Sequence, residues 1–190
     1  MKRAVIPAVL ALVAIASTAM ADDLAKFRDD SRKTVKEIAS QLGNTLQKEM
    51  ASNGPAAAIE VCKNLAPAIT SAISAKTGQR VTRVSLKTRN PLLGFPDAWE
   101  QKVLADFAQR MEKENPATIE YAEVVTEPQG KFMRYMKAIP VQGICLKCHG
   151  TPETLAPHVK ERLDIEYPDD KATGYTLNQL RGAFSIKKPM

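Results

Sequence analysis

Cys145-Leu146-Lys147-Cys148-His149 brings two thiols and an imidazole into five consecutive residues. Read as C-x-x-C-H, it is the attachment pattern of a c-type haem. Each thiol can add across one vinyl group of the porphyrin to form a thioether. The next residue then lies under the iron, where its imidazole is the proximal ligand. With 3 Cys and 2 His in 190 residues, chance gives this pattern in about 5 of 10,000 chains of the same composition. The pattern therefore carries chemistry. A zinc site asks for four ligands, and no second pair stands at metal-ligand spacing. A thioredoxin-like C-x-x-C asks for a βαβ setting, and the surroundings offer none. A plain disulfide is a third reading, which spacing alone leaves open. The expectation is one haem c, held covalently by Cys145 and Cys148, with His149 on the iron.

The compartment bears on that expectation. Residues 1–21 read as a secretory signal peptide: Lys2 and Arg3 first, an apolar run from Ala4 to Ala16, then Ala19-Met20-Ala21 ahead of Asp22. The run is short for a spanning helix, so the chain is expected to be cleaved, periplasmic and not membrane-spanning. Bacteria attach haem to thiols outside the cytoplasm, so signal and motif support each other. Removing Lys2 and Arg3 takes the net charge from +6 to +4. No basic stripe with interleaved aromatics is present, so nucleic acid is not an expected partner. A mild positive charge would suit an acidic redox partner, but an ordinary solvated mixed surface accounts for it better.

The elements that must position the motif follow from periodicity. Leu24, Phe27, Val35, Ile38, Leu42, Leu46 and Met50 recur at steps of three and four, one face of a long helix over about 23–52. That face would suit packing on its own domain or pairing with a second copy. Ser52-Asn53-Gly54 ends this helix and Pro55 opens a second, with Ile59, Cys62, Ala66, Ile69 and Ile73 on one side and Gly78 closing it. Over residues 80–88, Thr82, Val84 and Leu86 alternate with Arg83, Ser85 and Lys87, which predicts a strand. Asp97 caps a third helix that presents Trp99, Val103, Phe107 and Met111. Residues 118–126 and 131–139 flank Pro128-Gln129-Gly130 as a hairpin that leads into the motif. A short helix over 155–163 and a last strand over 180–187 complete the order. The expected fold is one α+β domain over 22–190, an antiparallel sheet with helices on one side.

Cys62 is the cysteine that the motif does not use. On an apolar helix face it is either a small buried hydrophobe or an axial ligand opposite His149, where iron would hold it as thiolate. His158, nine residues after His149, and Met133 and Met136 on the preceding strand are other donors for the sixth position. An open sixth position is a further alternative.

Arg83, Ser85, Arg89-Asn90-Pro91, Pro96-Asp97, Trp99-Glu100, the motif with Gly150, Gly174-Tyr175 and Arg181-Gly182-Ala183 form a spaced series. The series resembles a family of exported single-haem c-type proteins with a PAS-like fold, formerly a domain of unknown function, found alone or as the sensory part of membrane-bound signalling proteins. The resemblance spans roughly residues 50–188. It implies a PAS-like sheet with two N-terminal helices, and iron held by His149 and by Cys62 on the helix Pro55-Ala56-Ala57-Ala58-Ile59-Glu60-Val61-Cys62. One segment departs: Leu92-Leu93-Gly94-Phe95 is more apolar than the family's loop.

A thiolate stabilises ferric iron, so a low potential is expected, and loss of the iron–sulfur bond would free the second helix. Two function classes result. One is a redox or gas-ligand sensor acting through an unidentified periplasmic redox or signalling protein. The other is a low-potential electron-transfer cytochrome. An enzyme such as a peroxidase would need an open iron and a distal acid–base group, so no enzymatic activity is expected.

Overall fold

The computed structural model describes residues 8–190, with side chains from residue 20 onward. The Lys2-Arg3 start of the expected signal lies outside the described residues. Helix α1 (Ala8–Glu60) runs for 53 residues and is broken at Gly54, whose φ of 83° is open to glycine at no Cβ cost. Pro55 then opens the last stretch of α1, as the sequence implies. Val61–Leu65 forms a π-helical turn that carries Cys62, and α2 (Ala66–Thr77) follows without a cap between them. Gly78, at φ 67°, closes α2 by donating to the Ser74 carbonyl at 3.0 Å.

Strand β1 (Arg80–Val84) leads through the short turn α3 (Pro91–Gly94) to α4 (Ala98–Arg110). Asp97 and Glu100 form a reciprocal capping box on α4, with Glu100 N–H to Asp97 Oδ1 at 2.9 Å and Asp97 N–H to Glu100 Oε2 at 2.8 Å. Strands β2 (Glu120–Glu127) and β3 (Gly130–Pro140) make the hairpin, then α5 (Leu146–His149), α6 (Pro157–Glu166) and β4 (Leu180–Pro189) complete the order. The sheet is antiparallel throughout, in the order β1-β4-β3-β2. Among the described residues no helix is long and apolar enough to cross a membrane.

The helices cover both faces of the sheet, not one. Phe27, Val35 and Ile38 of α1 and Ile73 of α2 pack on Val81, Met133, Tyr135, Phe184 and Ile186. On the opposite face Val103, Leu104 and Phe107 of α4 pack on Val84, Met136, Ala138 and Ala183. The reason lies in β3, where Met133, Arg134, Tyr135 and Met136 are all buried. Alternate residues of a strand point to opposite faces, so a strand buried at every position needs cover on both sides. A third cluster joins the last stretch of α1 to α6 through Ile59, Leu155, Val159, Leu163 and Tyr167, with Ala56 and Cys148 against it. The expected strand over 80–88 is also shorter. The strand stops at Val84, so the alternation ends there; Ser85 is buried and Leu86 is 56% exposed.

An ion pair fastens α1 to the hairpin. Arg32 Nε donates to Glu120 Oε1 at 2.9 Å and Tyr135 Oη donates to Glu120 Oε2 at 3.0 Å. Burial alone would raise the Glu120 carboxyl, but the Arg32 and Tyr135 hydrogen bonds hold it below its ordinary value. A depressed carboxyl contributes stability above its unfolded pKa and loses it as pH falls through the folded one. The melting temperature is therefore expected to drop as pH goes from about 5 towards 3, and Arg32→Ala to flatten that slope. Thermal unfolding followed by circular dichroism across this range checks it; an unchanged slope would remove the pair from the acid response.

Candidate functional site

The motif residues sit on one helical turn. Cys145 precedes α5, and its carbonyl accepts from Cys148 N–H at 3.2 Å and His149 N–H at 2.9 Å. Positions three apart on a turn share a side, so the two thiols are presented together with the imidazole next in line. Gly150 closes the turn. A Cβ there would lie 2.6 Å from Thr154 Oγ1 and 2.7 Å from the Leu146 carbonyl oxygen, so no larger residue fits. All three cysteines are free and half-buried. Cys148 lies against the start of the second stretch of α1, its Sγ 3.8 Å from the Pro55 carbonyl. Burial pushes the Cys148 thiol up to about 11.

A backbone carbonyl orients His149. Its Nδ1 lies 2.6 Å from the Ala172 oxygen. A carbonyl only accepts, so Nδ1 carries the proton and Nε2 keeps a lone pair. Burial, then the charges of Arg181, Arg89 and Arg83, hold His149 well below its ordinary pKa, so the ring is neutral. Tyr175 meets the ring edge-on at 6.2 Å. Its N–H donates to the His149 carbonyl at 3.0 Å, and Gly174 N–H to that of Gly150 at 2.8 Å. Residues 172–175 thus clamp the turn from outside the motif.

Three arginines surround this ring. Arg89 Nε donates to Asp170 Oδ2 at 3.0 Å, and its Nη2 to the Cys148 carbonyl at 2.6 Å. Arg181 Nε donates to the lone pair of His149 Nε2 at 3.4 Å, while its Nη1 donates to Ser85 Oγ at 3.0 Å. Burial depresses both Arg181 and Arg83, and negative charge on Cys62 or Tyr167 would oppose it at Arg83. Of these three, only Arg89 has a carboxylate partner; among the described residues Arg83 and Arg181 make no salt bridge. Two guanidinium charges are left without an anion, an arrangement that would accept a dianionic group.

Cys62 comes to the same region. Its charge would be felt by Arg83, Cys148 and Tyr167, and Ala56 and Ile59, just before it, pack with Cys148. Among the described residues no hydrogen bond joins Cys62 to His149; Arg83 acts electrostatically on one and is acted on by the other. The other sequence candidates lie elsewhere. His158 is exposed on α6, and Met133 and Met136 fill the two sheet cores.

The donor set fits a porphyrin better than a bare ion. Among the described residues no three His, Cys, Asp or Glu side chains gather where they could hold a metal ion. Two thiols side by side, one imidazole lone pair and two unpaired guanidinium groups match two vinyl groups, one iron and two propionates. Sequence reasoning gave no role to Arg83, Arg89 or Arg181, although all three stand in the spaced series. An arginine on a short strand beside Val84, followed by a buried serine, is the signal that could have marked Arg83. Nothing in a sequence marks the Ala172 carbonyl.

A family model described as Tll0287-like: Tll0287 matches residues 11–189. Among solved structures, one titled as the crystal structure of the cyanobacterial heme-protein Tll0287 superposes with a TM-score of 0.66 at 23% identity, over 87% of this chain and 96% of that one. At that identity the likeness is one of fold. No curated protein matches.

Proposed function

The chain belongs to the Tll0287-like family, and from that membership we propose that it is a periplasmic c-type haem protein whose redox or ligand state is read by a partner. The matched structure is titled a heme-protein, and the site described above would hold the group as follows. Cys145 and Cys148 would bind it through two thioethers. His149 Nε2 would be the proximal ligand, oriented through Nδ1 by the Ala172 carbonyl. Arg83 and Arg181 would neutralise its two acids, and Cys62 would be the distal ligand. A haem bound there supplies a one-electron couple and an iron whose sixth position a small ligand can contest. The domain over residues 22–190 is read as PAS-like, with residues 1–21 removed on export, and it performs no catalysis.

The observation that carries the reading is the fixed tautomer of His149 at the end of a C-x-x-C turn. Support for sensing comes from Cys62. It lies on a π-helical turn between a glycine break and α2, a geometry often found at functional sites. Release of Cys62 would let that turn tighten and move α2. The electron-carrier reading is favoured by the clamp on His149, which Tyr175, Gly174 and Arg89 hold rigid through backbone bonds. The test is direct. Full-length chain expressed with export and haem-attachment machinery is expected to gain the mass of one haem and to keep it through acid–acetone extraction. Extractable haem, or zinc in its place, would overturn the proposal.

A further inference from the structure

Among the described residues, nine large apolar side chains are strongly exposed, and four of them fall in one loop: Leu86 at 56%, Leu92 at 94%, Leu93 at 55% and Phe95 at 70%. Isolated exposed leucines need no explanation, but a cluster does. This loop is not slack chain. Ser85 N–H donates to the Gly94 carbonyl at 3.1 Å and closes its base. Asn90 Oδ1 accepts from Leu92 N–H at 3.1 Å and the Asn90 carbonyl from Gly94 N–H at 2.9 Å. The apolar tips are therefore held outward on an ordered turn, a pre-organised surface whose ordering cost is already met before contact.

The loop also touches the motif. Arg89, within it, donates to the Cys148 carbonyl at 2.6 Å, and the Thr88 carbonyl accepts from Lys171 N–H at 2.8 Å. Exposed lysines stand in the loop and on the chain around it: Lys87, whose ammonium donates to the Thr173 carbonyl and lies over the Tyr175 ring, and Lys147 and Lys171. Of the nearby acids, Asp170 is taken by Arg89 and the partly exposed Asp97 by Arg134, which leaves Asp169 exposed. We propose that residues 86–95 form the docking surface for an acidic redox protein whose contact face has an apolar centre ringed by carboxylates. Lysines would steer the approach and the Leu-Leu-Phe tip would seat it. A patch of four side chains suits a transient contact burying less than about 1,200 Å². A lipid surface is disfavoured because residues 86–95 contain neither Trp nor Tyr, the residues enriched at membrane interfaces.

The inference rests on the haem reading for its purpose, while docking itself can be measured apart from it. An acidic plant-type ferredoxin serves as the probe, with the same ferredoxin amidated at its carboxylates as control. Vesicles of phosphatidylglycerol and phosphatidylcholine test the lipid alternative. With the full chain, binding is expected to weaken at least about tenfold from low to physiological salt. Hydrogen-exchange protection is expected to concentrate at 86–95. Leu92→Ser with Phe95→Ser, both on the surface, is expected to abolish binding and leave the circular dichroism unchanged. No binding, protection elsewhere, equal binding of the amidated probe, capture by vesicles, or self-association through this loop would each overturn the proposal. Absorption at the Soret band reports haem separately, so a chain that lacks haem yet docks would overturn the haem reading alone.

Discussion

Cys62→Ser is expected to shift the Soret band, change the ferric EPR signal and raise the reduction potential by on the order of 0.1 V. Covalent haem is expected to remain, because Cys145 and Cys148 are untouched. A thiolate places a full negative charge on the iron and favours the ferric state, whereas a neutral hydroxyl does not. The surroundings fit that role: Cys62 is half-buried on the π-helical turn and lies near enough for Arg83 to feel its charge. The fold is expected to survive, since Ile59, Ala66 and Ile73 hold the buried side of these helices. Redox titration with EPR reads both effects. Spectra identical to the wild type would take Cys62 off the iron and leave it a packing residue.

The largest expected effect on stability lies on the other face of the sheet. Arg134 is 2% exposed on its side chain, with Nη2 2.7 Å from Asp97 Oδ2 and 3.2 Å from Glu100 Oε1, and Nη1 3.1 Å from Glu127 Oε1. Its guanidinium lies over the ring of Trp99 at 4.3 Å. Glu100 is 3% exposed and also accepts from Ser185 Oγ at 2.6 Å. Arg134→Ala would leave the Glu100 carboxylate buried without its cation, which costs roughly 3–5 kcal/mol. Glu100→Gln on top of it is expected to recover part of that loss, because the neutral amide keeps hydrogen bonds without needing a counter-charge. Denaturant unfolding followed by fluorescence of Trp99, the chain's one tryptophan, measures both variants. A loss under about 1 kcal/mol would mean that water replaces the arginine, as at an exposed pair.

Local signals in the sequence were dependable where one residue type has one physical use. Gly54 with Pro55 marked the break in α1, Gly78 its left-handed stop on α2, and Asp97 with Glu100 the start of α4. The C-x-x-C-H turn was legible for the same reason. What stayed hidden depends on partners distant in the chain. Coverage of both sheet faces follows from burial along β3, and a run such as Met133-Arg134-Tyr135-Met136 has no single-face alternation to read. The π-helical turn inserts one residue into a helix and leaves the apolar recurrence almost unchanged, so Ile59, Ala66 and Ile73 still read as one face. The arginines around His149 were visible as residues but not as a group. They come from β1, the loop after it and β4, and only the sheet order brings them together.

That order has a bearing on timing. Strand β4 lies between β1 and β3, yet it follows every other strand in the chain. A polypeptide emerging during synthesis presents its residues in sequence, so β1 must wait for residues 180–189 before it has a neighbour. Cys145 and Cys148 come out about thirty residues earlier. There is accordingly an interval in which both thiols are already present while β1 and β3 still lack the strand that joins them. The late arrival of its middle strand leaves a window in which both thiols can be reached before the sheet is complete.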